Sequence, residues 1–188
     1  MVKLYTIQGV SNMIEVEHWE NGNIKIIRIQ NEEGNHNPNG PSLQWWYKNG
    51  QERLREYAIN GLRHNPNAPA LQVWYENGQE KVREHWIDGR QHNLSAPARQ
   101  KWDENGQEKV REYWVDAKLH NITVPALQWR HENGRKSLRE CWVNGRLNNT
   151  HGPARQIWLN TGQEILREFW INGERLSEQE FLSRNPAL

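Results

Sequence analysis

The chain is 188 residues long, carries 24 basic and 23 acidic residues for a formal charge of +1, and holds 11 Trp but one Cys. Near-neutral charge argues against a general nucleic-acid binder, a single Cys (Cys141) excludes an internal disulfide framework, and no window reaches the roughly 18 apolar residues of a membrane span. Leu, Ile, Val and Phe make up only about a fifth of the chain, the edge of the disordered range, and the tryptophans supply the missing burial, about 200 Å² each.

Reading from the start, "VKLYTI" and "MIEVEHW" are predicted strands that cap a repeat array, the cap being assigned to residues 1–15. "MVKLYTIQGV" lacks the apolar run of a signal peptide, so with one free Cys the expected setting is soluble and intracellular. Residues 16–176 then repeat. Gly22, Gly50, Gly78, Gly106, Gly134 and Gly162 fall 28 residues apart, five of them after Asn. A second turn recurs at Asn60-Gly61, Asp88-Gly89, Asp116-Ala117, Asn144-Gly145 and Asn172-Gly173, and Pro41, Pro69, Pro97, Pro125 and Pro153 mark a third column. Six copies are present, the first degenerate.

Asn-Gly between β-branched and aromatic runs predicts a hairpin with a type I′ turn, whose two central residues both need positive φ. Each repeat therefore reads as strand, tight turn, strand and one longer loop through "DGRQHNLSAP", with proline at a strand's start. About twelve strands succeed one another in chain order. At ~4.8 Å per strand each repeat advances about 10 Å and the array spans roughly 55–60 Å. The chain closes with "LSEQEFLSR", where Ser177 as N-cap, Glu180 three residues on, and Leu176 stapled to Phe181 predict a short helix within residues 177–188. The expected fold is all-β: one domain, an elongated single-layer antiparallel meander of repeated hairpins with a C-terminal capping helix. Its first edge is open to a second copy, which would give a homodimer through an end repeat.

The pattern W-Y-E-N-G-Q, then R-E-x-W-x-N/D-G, then H-N-x-x-x-P-A resembles MORN-type repeats, most closely the MORN-like arrays of large DNA viruses of amoebae. The resemblance covers residues 16–176. It implies an antiparallel β-array used for protein or membrane contacts, frequently dimeric, with no catalytic residue to carry over, and a setting in a host cell's cytoplasm or nucleus. The 28-residue unit is longer than the usual one, and the glycine of "G-P-A" survives only at Gly40 and Gly152, which weighs against lipid binding.

The repeated columns are the candidates for chemistry. Trp46, Trp74, Trp102 and Trp158 on the first strand, and Trp86, Trp114, Trp142 and Trp170 on the second, are expected to form the core. Where the first row lapses, at Arg130, neighbouring Trp129 is expected to keep the packing volume. Arg55-Glu56 and its copies up to Arg167-Glu168 put an Arg row on one face and a Glu row on the other. The candidate partner contacts come from these rows: Trp46, Trp74, Trp102, Arg83, Arg111 and Arg139. His36, His64, His92 and His120 stand too far apart to share a metal ion and read, with the Asn after each, as turn chemistry, as do the Asn-x-Ser/Thr sites at Asn93, Asn121 and Asn148. Cys141 occupies the aromatic column of Tyr57, Tyr113 and Phe169. No catalytic, cofactor or metal constellation is expected, because catalysis needs a unique set of residues rather than one copied every repeat. The expected function is a non-enzymatic protein-interaction or scaffold module. Peripheral membrane association and, by fold analogy alone, an antitoxin-like inhibitor are the alternatives.

Overall fold

Each 28-residue period folds as two β-hairpins in series. The computed structural model describes residues 2–6 and 12–184. Leu71–Trp74 pairs antiparallel with Glu80–Glu84, setting Leu71 opposite Glu84 and Gln72 opposite Arg83. The same register recurs where Leu43–Trp46 meets Glu52–Glu56, where Leu127–Arg130 meets Lys136–Glu140, and where Arg155–Trp158 meets Glu164–Ile171. The stretch expected to be one long loop opens with a second, shorter hairpin. Trp86–Ile87 pairs with Arg90–Gln91, and two-residue ribbons repeat at Ala58–Ile59, Trp114–Val115 and Trp142–Val143.

The two turns differ, and the turn assignment needs correcting. Asn49 and its equivalents lack positive φ, while Gly50 sits at +87°. Gly50 N–H donates to the Tyr47 carbonyl at 3.0 Å, and Tyr47 N–H to that of Gln51 at 2.8 Å. That is a three-residue loop, a type I turn closed by a left-handed glycine. The partner strand carries an extra residue there, so the register slips between Trp45 and Trp46. The type I′ turn belongs to the second hairpin, where Asn60 and Gly61 lie at +50° and +75°. Strand length decides between them: the short ribbons have no room for a bulge.

Contacts divide the chain into two units, Met1–Gln91 with Trp102–Gly106, and His92–Lys101 with Gln107–Leu188. In the first unit the strands lie in chain order from Val2–Thr6 and Met13–His18 through Ile24–Asn31 to Glu80–Glu84. The expected cap strands are these first two; Ile7, also assigned to them, lies outside the described residues. In the second unit the order is again chain order, from Glu108–Glu112 to Glu174–Leu176. Both units are antiparallel meanders.

The deepest side chains are not the tryptophans, which are at most half-buried. They are the alanines that follow proline: Ala70, Ala98 and Ala126 at 0% exposure and Ala154 at 1%. Ala70 N–H bonds the Glu84 carbonyl, and its own carbonyl accepts from Tyr57 N–H at 2.8 Å, so two backbones close over it. Ser42 fills that position in an earlier repeat. The C-terminal helix, Glu178–Arg184, is capped as the sequence predicts: Ser177 N–H donates to Glu180 at 2.8 Å and Glu180 N–H returns a bond to the Ser177 hydroxyl. Phe181 of the helix packs into a cluster with Phe169 and Leu176. Residues 185–188 of the expected cap lie outside the described residues. Among the described residues no helix is long and apolar enough to cross a membrane.

Candidate interaction surface

Each unit carries, on one sheet face, a side-chain arrangement built from Arg, Glu and Gln. In a regular strand, residues three apart point to opposite faces. The bulge turns Glu52 over, so it shares a face with Arg55. Arg55 then grips Glu52 through Nε and Nη2, Gln44 donates to the same carboxylate at 3.1 Å, and the Arg55 guanidinium lies 5.5 Å from the ring centre of Trp74. Arg83, Glu80, Gln72 and Trp102 repeat the arrangement, with the guanidinium 5.3 Å from the ring. Arg111 bonds Glu108 at 2.7 Å, and that bond raises the arginine's proton affinity. Arg167 holds Glu164 at 2.9 Å, keeping that carboxyl below its ordinary range.

The second Glu column faces the other way and is buried. Glu84, Glu112 and Glu140 are 7%, 3% and 6% exposed, each with the indole N–H of the Trp two residues later at 2.8–3.0 Å. A buried carboxylate needs a cation, and here it comes from shifting columns. Arg63 reaches Glu56 and Glu84, Arg99 reaches Glu112, and Arg155 reaches Glu140 at 2.6 Å. The second Trp row is therefore a row of hydrogen-bond donors as well as apolar surface.

Side chains also tie each repeat to the next. Tyr47 and Tyr75 hydroxyls donate to the carbonyls of Trp74 and Trp102 at 2.9 and 3.0 Å. Asn21, Asn77 and Asn133 each donate to a carbonyl 27 residues on. His36 and His120 accept at Nδ1 from the N–H of Asn60 and Asn144, both at 3.1 Å. His64 and His92 stand 2.7 and 3.2 Å from the carboxylates of Asp88 and Asp116. Asn93 and Asn121, read as turn residues, accept from the N–H of Ser95 and Thr123.

Of the six candidate contact residues, Trp46, Trp74 and Trp102 are half-buried, and the latter two stack under arginines. Arg83 and Arg111 are held by their own glutamates. Arg139 differs: Lys136 replaces the glutamate, and the guanidinium donates to Gln156 at 2.7 Å. The same repeat has Arg130 in the Trp column, directly opposite Lys136. The expectation that Trp129 fills the lost Trp's place is wrong. Trp129 pairs with Leu138 on the opposite face, is 43% exposed, and donates to buried Glu112. Adjacent strand residues point opposite ways, so one cannot substitute for the other.

In the aromatic column, burial lowers the His85 proton affinity, helped by Arg83, and burial pushes the Cys141 thiol up. Sequence reasoning missed the buried glutamates, whose Arg-Glu dipeptides look alike whichever residue faces in; the visible signal was a Trp two places after each. No family model, curated protein or solved structure matches the chain.

Proposed function

We propose that the chain is a MORN-like, non-enzymatic module that binds a protein partner and works inside a cell, where its free cysteine fits a reducing setting. The observation that carries this reading is the internal use of the repeated polar columns. His, Tyr and Asn side chains hold one repeat to another, and the Arg-Glu pairs of the first row close within their own strand. The residues that look like chemistry are joinery, which leaves the exposed surface of the hairpins for a partner. The strand Val2–Thr6 ends the strand order of its unit, and pairing there with a second copy is part of the proposal.

The test is a pull-down with the purified chain from nuclease-treated extract of its native host, with and without detergent, read by mass spectrometry. One stoichiometric protein that survives detergent is expected. Recovery of lipid and membrane proteins only without detergent overturns the reading in favour of membrane association.

A further inference from the structure

Five hairpins place a cation at the Arg55 position, and in four of them a glutamate three residues earlier neutralises it. The fifth repeat breaks this rule twice, with Lys136 in the column of Glu52, Glu80, Glu108 and Glu164, and Arg130 in the column of Trp46, Trp74, Trp102 and Trp158. Arg130 and Lys136 are exposed and Arg139 is half-buried. Among the described residues none of the three has a carboxylate within ion-pair distance: Arg130 donates to the Gly134 carbonyl, Lys136 lies over the Trp158 ring and Arg139 bonds Gln156. Glu108 on the neighbouring strand is already held by Arg111 and Gln100. The register puts Arg130 opposite Lys136, and Gln128, two residues from Arg130, opposite Arg139. Three uncompensated cations therefore share one face within about 10 Å.

Arg139 also lines a cleft of about 500 Å³ between the loops at 121–125 and 148–153, with Cys141 and Val143 on its floor. The matching cleft of an earlier repeat has Tyr57 in place of the cysteine and measures about 380 Å³. The larger cleft has an aliphatic wall, Ile122 and Val124, which are 79% and 41% exposed. Charge on its own fits many anions, but an apolar wall beside it gives a phosphate group nothing to bury.

Building on the reading of the chain as a protein-binding module, we propose that this strip docks an extended segment of the partner. It runs from Arg130 and Lys136 past Arg139 into the cleft beside Ile122, and the segment carries carboxylates next to an aliphatic or aromatic side chain. The carboxylates take the place of the missing glutamate, and the apolar side chain enters the cleft.

The array supplies its own control. R130W/K136E restores the residues that four other hairpins use, and Cys141→Tyr restores the column residue of Tyr57 and Tyr113, so both variants should melt as wild type does. A random dodecapeptide display library is selected on the immobilised full chain. Acidic peptides with an adjacent apolar residue are expected, with affinity falling about tenfold in R130W/K136E and weakening with salt. Peptides without acidic bias, peptides bound equally by the restored chain, or an empty selection overturn the site. So does tighter, strip-dependent binding of oligodeoxythymidine or phosphatidylserine vesicles, or self-association seen by sedimentation and lost in R130W/K136E, which would make the occupant a second copy. If the extract pull-down returns the same protein on wild type and restored chain, the module stands and only this site fails. If it returns none, the functional reading fails first.

Discussion

At the scale of single residues, the backbone sets sharper demands than the side chains do. At Gly61 a methyl group would lie 2.5 Å from the Glu33 carbonyl oxygen, so that turn admits only glycine. The equivalent turn at Asp116-Ala117 holds an alanine at φ +59°. A Cβ in the left-handed region costs roughly 1–2 kcal/mol, against up to about 1 kcal/mol of extra chain entropy for glycine. Ala117→Gly should therefore stabilise the protein by about 0.5–1 kcal/mol, read as a higher urea midpoint with unchanged slope. His85 gives a second handle. Its proton affinity is lowered in the folded state by burial and then by Arg83. The unfolded chain thus takes up this proton first, and stability is lost as pH falls below about 6.5 towards the depressed folded value. His85→Tyr, the residue type of Tyr57 and Tyr113, should flatten that part of the melting-temperature profile; an unchanged profile would show that His85 is not its source.

At the scale of the hairpin, the 28-residue period, the strand order and the capped helix were all legible in the sequence. Asn-Gly turns, post-loop prolines and the Ser177/Glu180 pair act through local geometry that one residue type imposes. The turn type was not legible, because Asn-Gly suits both a type I′ turn and a type I turn with a left-handed glycine, and strand length chooses. Nor was the bulge, although it alone brings Glu52 and Arg55 to one face. The buried glutamates were hidden for another reason: their arginines come from two repeat positions, one holding Arg63 and the other Arg99 and Arg155, and neither is arginine in every copy. Arg99→Met tests that pairing. It leaves Glu112, 3% exposed, with indole donors but without the Arg99 cation, and should destabilise by about 3–5 kcal/mol. Adding Glu112→Gln should recover much of the loss in a denaturant titration. A single variant as stable as wild type would mean that the carboxylate finds enough compensation elsewhere.

At the scale of the whole molecule, the question is whether repetition makes the chain divisible. The side-chain ties of His36, Tyr47, Asn21 and His120 span 24 to 27 residues and that of Asn31 to Asn60 spans 29, so each runs from one repeat to the next. Stability is then a sum of similar units and the interfaces between neighbours, with caps at the ends. Removing residues 51–78 joins Gly50 to Gln79, the same dipeptide as Gly50 with Gln51. The Tyr47 hydroxyl, which donates to the Trp74 carbonyl, would meet that of Trp102 in its place, and Asn49 would still have a glutamine N–H two residues on. Arg55, its glutamate and the ring beneath it leave together, while buried Glu84 loses Arg63 and would take over the Asn35 amide that Glu56 uses. The shortened chain should be soluble, keep its β-sheet circular dichroism per residue, and unfold cooperatively at a somewhat lower midpoint because one interface is gone. An insoluble product would mean that the repeats depend on one another over more than one neighbour, and the additive picture of this array would have to be abandoned.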